Sequence, residues 1–273
     1  MAKSAAKERK NGQTPAAPRE VNSFVRYADY LDYMIDTAPK RTKGERTKDK
    51  LKFGAIQVLD DVGYHAMRVS DICEAAGVAA ATFYLYFDNK EQVTQVVLAE
   101  YLSVAMKMMA VRPEGKGPFE AIRASHLKWL EVTYANAGLM RCILQLGDEV
   151  EDFRDLAHAV NKQWYERIAQ AVLRDQEARG QQAPNQEGAL PLDVALLSAY
   201  ALGSMMDELA RKLVIHPDPA LLALTGRTVP DKAELADFLA VLWYQALYGQ
   251  VPRDLELADA ATVATRLVGR APG

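Results

Sequence analysis

Phe83-Tyr84-Leu85-Tyr86-Phe87 packs four aromatic rings into five residues, and two of those rings carry phenolic hydroxyls. Phe83 and Phe87 stand four apart, the spacing of one helix face, and are read as core. Tyr84 and Tyr86 flank them. Phenols presented by such anchors can donate to phosphate oxygens where cations lie close by. Such cations are at hand in Lys40, Arg41, Lys43, Arg46, Lys48, Lys50 and Lys52, opposed over that stretch only by Glu45 and Asp49. The chemistry implied is the holding of a polyanion backbone, and the elements around the cluster say how it would be held.

Ser70 reads as the cap of a short helix, with Asp71 and Glu74 well placed for its N-terminal dipole and Ile72, Cys73 and Ala76 facing inward. Gly77 supplies the backbone freedom for a tight turn, and Val78 plugs the core beneath it. A third helix is expected from about Ala79 to Phe87. Two helices joined this way form a helix-turn-helix, whose second helix can enter a DNA major groove. Upstream, Thr42-Lys-Gly-Glu45 has the form of a capping box, with Thr47 as an alternative start one turn later. Leu51, Ala55, Val58, Leu59 and Val62 make one apolar stripe that Gly63 ends. Asp88 or Asn89 would cap a long fourth helix running from Lys90 to about Ala110, broken by Pro113-Glu-Gly-Lys-Gly-Pro118.

Charge is distributed to match. The formal net charge is -3, yet residues 40–90 hold nine Lys/Arg against seven Asp/Glu, and residues 91–273 hold 18 against 24. A polyanion would meet the basic end. Half of the 273 residues (49%) are apolar, enough for a sizeable core. Cys73 and Cys142 form no paired framework and read as small buried residues in a reducing compartment. Without a secretory pattern or an 18-residue apolar run, a cytoplasmic protein with no membrane contact is expected. His65, His126, His158 and His216 are dispersed, with no HExxH, no paired cysteine ligands and no phosphate loop. Neither catalysis nor a metal or cofactor is therefore expected.

Gly77-Val78, Thr82-Phe83-Tyr84, Tyr86-Phe87 and Lys90-Glu91 closely resemble the signature of the tetracycline-repressor (TetR) family, over roughly residues 45–95. The resemblance implies an α-helical homodimer with an N-terminal DNA-binding head and a divergent effector-binding domain. It also implies roles by position. Thr82, Tyr84 and Tyr86 would hold phosphates, Tyr84 would touch a thymine methyl as well, and Lys90 would make an ionic phosphate contact. Ser70, with Arg46 or Thr47, would serve near helix starts. Ala80 and Ala81, following Ala79, occupy positions where members often carry polar residues. Alanines cannot form bidentate hydrogen bonds to bases, though they can pack on thymine methyls, so base specificity would pass to Ser70, Arg68, the basic arm or DNA shape.

The expected organisation is a disordered tail (1–20), an extra N-terminal helix (21–39), the helix-turn-helix head (40–90) and an effector-binding and dimerisation domain (91–273). The extra helix carries Val21, Phe24, Val25, Ala28, Leu31 and Ile35 at helical spacing; it would pack on the body or on a partner subunit, and Pro39 would end it. Helices are expected at about 118–136, 138–147, 151–179, 190–214 and 231–249, a loop at Gly180–Gly188 and a breaker at His216-Pro-Asp-Pro219. The fold class is all-α. His126, Trp129, Tyr134, Met140, Cys142, Gln145, Trp164, Tyr165, Met205 and Asp207 are candidates for an effector pocket suited to a hydrophobic or amphipathic molecule. Leu196, Tyr200, Gly203, Phe238, Leu242 and Gln245 are candidates for the interface of a homodimer that reads palindromic double-stranded DNA. A repressor released by its effector is the leading expectation. An activator or a regulator controlled by a protein partner through 21–38 is the alternative, with a helical enzyme as the remote one.

Overall fold

A computed structural model describes residues 19–37, 41–111, 115, 117–178, 192–224 and 231–248. The tail up to residue 18, Pro39, Lys40, Pro113, Glu114 and Lys116 of the expected break, the Gly180–Gly188 loop and Gly249 lie outside the described residues. Among the described residues there are eleven α-helices and no strand, in agreement with the all-α expectation. None of these helices is long and apolar enough to cross a membrane.

The first helix, α1 (Tyr27–Thr37), follows a short 3₁₀ turn at Val21–Ser23 and buries Phe24, Tyr27, Ala28 and Leu31 against its own chain. The long α2 (Lys43–Ala66) begins at the expected capping box. Thr42 Oγ1 accepts from Glu45 N–H at 3.2 Å, and the Glu45 carboxylate accepts from Thr42 N–H at 2.7 Å. Leu51, Ala55, Ile56 and Leu59 of α2 are fully buried, and each Leu or Ile contributes about 2 kcal/mol relative to exposure. Gly63, at φ 75°, breaks the regular helix where the sequence places its end.

Next come α3 (Val69–Ala76) and α4 (Ala80–Phe83). Gly77 ends α3 in the left-handed region at φ 64°, ψ 39°, and Val78 N–H returns to Cys73 O at 3.0 Å. Two details differ from expectation. Arg68, not Ser70, occupies the cap position of α3: the Asp71 carboxylate accepts Arg68 N–H at 3.0 Å, and Ser70 spends its hydroxyl on Asp71 Oδ1 at 3.1 Å. A carboxylate in the first turn is the stronger acceptor and sets the register. The third helix is also shorter than Ala79–Phe87, because after Phe83 the chain tightens into i+3 bonding (Leu85 N–H to Thr82 O, Tyr86 N–H to Phe83 O). That tightening lets Phe83 and Phe87 reach the same core, 0% and 3% exposed.

The remaining elements are α5 (Lys90–Met108), α6 (Pro118–Ala135), α7 (Ala137–Glu149), α8 (Glu151–Ala178), α9 (Leu192–Ala210), α10 (Pro219–Leu224) and α11 (Lys232–Tyr248). Asn89 caps α5 by accepting Gln92 N–H at 2.8 Å. A π-helical segment, Arg211–Ile215, carries α9 onward. The His216–Pro219 breaker is also a start: Pro219 stands at the first position of α10, and Asp218 accepts Ala220 N–H at 2.9 Å.

Apolar packing falls into two regions. One joins α1 to α5 with Leu139, Cys142, Ile143 and Leu146 of α7 and Phe153 of α8. The other lies among α6, α8, α9 and α11, with Phe119, Val172, Met206, Leu239 and Trp243 at its centre. The first region crosses residue 90, so the head shares one core with α7.

Candidate nucleic-acid interface

Gly54 fixes the head. A β-carbon there would lie 2.8 Å from Ile72 O and 3.0 Å from Ala76 N, so α2 and α3 meet backbone to backbone. On that platform Ile72, Phe83 and Phe87 are buried, and what remains outside is the outer surface of the turn and α4. Ala79, Ala80 and Ala81 are exposed, Tyr84 is 61% exposed and Leu85 78%, and Thr82 and Tyr86 are half-buried. The Tyr84 ring rests edge-on against Phe83 at 5.4 Å, which orients it without covering it. Tyr86 reaches the start of α2: its hydroxyl lies 3.4 Å from where a β-carbon of Gly44 would stand. The end of α4 and the first turn of α2 therefore share one surface, with Lys43, Arg46 and Lys48 exposed on it. Lys48 Nζ lies 5.6 Å over the Phe87 ring.

Not every basic residue of the cluster faces outward. Arg41 pairs with the buried Asp49, and Lys52 is 9% exposed, donating to Asp49 Oδ1 at 3.0 Å and to Glu100 at 2.9 and 3.1 Å. The sequence places both in the polyanion-facing run; burial beside two carboxylates gives them to the fold instead. Arg46 donates to Arg41 O at 3.1 Å and Thr47 to Lys43 O at 2.9 Å, both at the rim. Arg68 and Ser70 are exposed at the start of α3.

Lys90 is held differently from its motif role. Its ammonium donates to Tyr64 O, Met67 O and His65 O at 3.1, 3.0 and 3.3 Å, and lies 4.8 Å over the Tyr64 ring. All three donors of the group thus meet carbonyls at the end of α2, where a helix leaves such carbonyls unpaired.

Residues 54–97, from the middle of α2 into α5, match the family model described as bacterial regulatory proteins, tetR family. Over that segment the head matches the TetR family. Its relatives include an HTH-type transcriptional regulator of Bacillus subtilis, YvdT, 32% identical over 81 residues (30% of this chain, 41% of that one). Another is the HTH-type transcriptional regulator RutR of Escherichia coli, 28% identical over 115 residues (41% and 54%). The matched part thus spans about half or less of these relatives. Among solved structures, a transcriptional regulator from Rhodococcus sp. Rha1 has the same fold, with a TM-score of 0.55 and 19% identity over 77% of this chain and 100% of that one.

Outside the TetR-family head the candidate residues disperse. His126 and Trp129 of α6 lie with the α8–α9–α11 packing. Met140 packs on the head core and Cys142 is buried within it, whereas Met205 is 36% exposed on α9. Tyr165 is buried and donates to Asp207 at 3.3 Å; Gln145, Trp164 and Tyr134 are half-buried on α7, α8 and α6. Burial holds the His126 imidazole down to about 3, so it is neutral, edge-on to Trp243 at 4.9 Å. A cleft of about 470 Å³ instead opens between α1, α2 and α5, walled by Tyr30, Leu31, Met34 and Val104 above the Arg41–Asp49–Lys52–Glu100 ion pairs. None of the effector candidates lines it.

The interface candidates also separate. Gly203 is buried against its own chain, where a β-carbon would overlap the Tyr165 ring. Phe238, Leu242 and Gln245 of α11 and Leu196 of α9 are half-buried. Tyr200, 36% exposed, packs its ring on Tyr165 at 4.4 Å. Leu192 and Leu197, which the sequence places on the same apolar helix surface, are 56% and 70% exposed on α9, and Val194, which sequence reasoning passed over, is 42% exposed. The signal was present in α9, whose buried stripe is made of the small residues Ala195, Ala199 and Gly203.

Proposed function

We propose that this chain is a homodimeric, sequence-specific DNA-binding regulator that represses transcription and is released by a small hydrophobic or amphipathic effector. The observation that carries the DNA-binding part is the exposed surface of Ala79–Ala81 and Tyr84. It is presented by a fully buried aromatic anchor and bordered by Lys43, Arg46 and Lys48. On this reading the start of α4 meets base edges through methyl groups, while Thr82, Tyr84 and Tyr86 hold phosphates and the α2 rim adds charge. Repression and effector release follow the family pattern, with the α6–α8–α9–α11 packing as the region that accommodates the ligand. The molecule works in the cytoplasm, where its DNA lies.

The test is a gel shift of the full chain with the duplex from upstream of its own gene, repeated across salt. Binding should weaken steeply as salt rises, because each neutralised phosphate releases counterions. Absence of binding to that duplex at low salt would sink the reading. Control by a protein partner through the N-terminal helix has less support, since Phe24, Tyr27, Ala28 and Leu31 are already covered by the chain's own core.

A further inference from the structure

Asn136 is the single residue between α6 and α7, and it is 2% exposed. Its side-chain oxygen accepts Tyr27 N–H at 2.8 Å, while its amide nitrogen donates to Val25 O and to Val132 O, both at 2.7 Å. Tyr27 opens α1, so its N–H is one that the helix itself leaves unpaired. A side chain more than a hundred residues away thus supplies the cap of the N-terminal helix.

The same corner grips the head a second way. A β-carbon at Gly138 would stand 2.7 Å from Asp60 Cα, so the first turn of α7 lies directly on the end of α2. Asp60 in turn receives Arg26 of the N-terminal segment at 3.1 Å. The segment is tied onward to α5, where Tyr27 Oη donates to Glu100 at 3.2 Å and its ring packs on Tyr101 at 5.5 Å. The packing changes hands at the end of α6: its earlier turns contribute Phe119, Ile122 and Trp129 to the C-terminal packing, its last turn contributes Val132 to the head core, and α7 adds Leu139, Cys142 and Leu146 to that core.

We propose that Asn136 is the positioning residue through which the C-terminal half sets the orientation of the DNA-binding head. The N-terminal segment 19–37 is the brace that it holds. The inference rests on the head being a DNA-binding surface. A rotation of α6 moves Asn136, and Asn136 carries Val25 and Tyr27 with it, so the brace and α2 follow as one body. Coupling of this kind is reciprocal, which lets it be tested from the DNA side with no effector in hand.

The experiment measures amide hydrogen exchange of the full chain with and without the upstream duplex. In the wild type, saturating duplex should slow exchange at 132–140 and 25–31 by about tenfold. In Asn136→Ala that slowing should be lost at 132–140, although the duplex still protects α4. Asn136→Asp keeps the acceptor for Tyr27 N–H and loses both donors, and should fall between. A merely structural role would lower the melting temperature of the variants and leave the DNA-linked slowing in place. Bound duplex with unchanged exchange at 132–140 in the wild type overturns the proposal without any variant, while the DNA-binding reading stands. Failure of the duplex to bind at all overturns that reading itself.

Discussion

Lys90 illustrates how a motif residue can be occupied before any ligand arrives. Its ammonium meets three carbonyls at the end of α2, so a phosphate would have to displace one of them. Lys90→Met should therefore act mainly on folding, lowering stability by about 2 kcal/mol through carbonyls left without a charged partner. Urea unfolding measures this, and a variant as stable as the wild type would contradict the staple role. Tyr84→Ala should do the reverse. The ring is 61% exposed, so unfolding should not change, while loss of a phosphate bond weakens DNA binding by about 2 kcal/mol, roughly thirtyfold. A third residue, His126, writes its burial into the pH dependence of stability. The folded imidazole stays neutral down to about 3, whereas the unfolded chain takes up a proton near 6.5. Stability from this group is complete above that higher value and declines by about 1.4 kcal/mol per unit of acidification below it. In His126→Phe the decline should flatten, read from urea midpoints at about pH 7 and about pH 5; equal slopes in the two proteins would refute it.

At the scale of elements, Gly54 shows what fixes the helix-turn-helix. The backbones of α2 and α3 approach so closely that Gly54→Ala pushes a methyl group onto Ile72 O. The expected destabilisation is about 1–3 kcal/mol, as for other overpacked cores. A loss of DNA binding should accompany it, because α3 carries the turn that aims α4. Thermal unfolding unchanged from wild type would show that the helices separate freely. Gly54 also marks the limit of sequence reading. Gly77 and Gly63 end helices, and the turn chemistry that betrays such glycines is local, as are the Thr42–Glu45 box and the Phe83–Phe87 spacing. Gly54, Gly138 and Gly203 make room for partners 18, 78 and 38 positions away, which no window of sequence contains. The same holds for charge. Lys52 looks like one more cation in a basic run until Glu100 is brought beside it. The position of α10 was legible in principle, since Asp218-Pro219 is a helix start as much as a breaker. The effector candidates scattered because aromatic and methionine residues at helical spacing mark every packed helix face, in the head core as in the C-terminal half.

For the whole molecule, the outer face of α9 carries the argument that two copies associate. Val194, Leu197, Tyr200 and Met205 are exposed together on one face of the helix, an apolar patch of the kind that a second protein surface covers. The opposite stripe of Ala195, Ala199, Gly203 and Met206 is buried against α8 and α11, so the helix cannot rotate to hide the patch within one chain. Two heads held by such a contact would meet two half-sites at once. The second head then binds as an intramolecular event, which raises affinity by about 10²–10⁴-fold over one head alone. Leu197, at 70% exposed, can be changed without disturbing the protomer core. Leu197→Glu should place a charge in the centre of the contact, leave helix content and melting of the protomer unchanged, and shift sedimentation from dimer to monomer. Affinity for the palindromic duplex should fall by about a hundredfold or more, while affinity for a single half-site stays as it was. A variant that sediments as a dimer would remove α9 from the interface. One that is monomeric yet binds the palindrome as tightly as before would show that each head works alone.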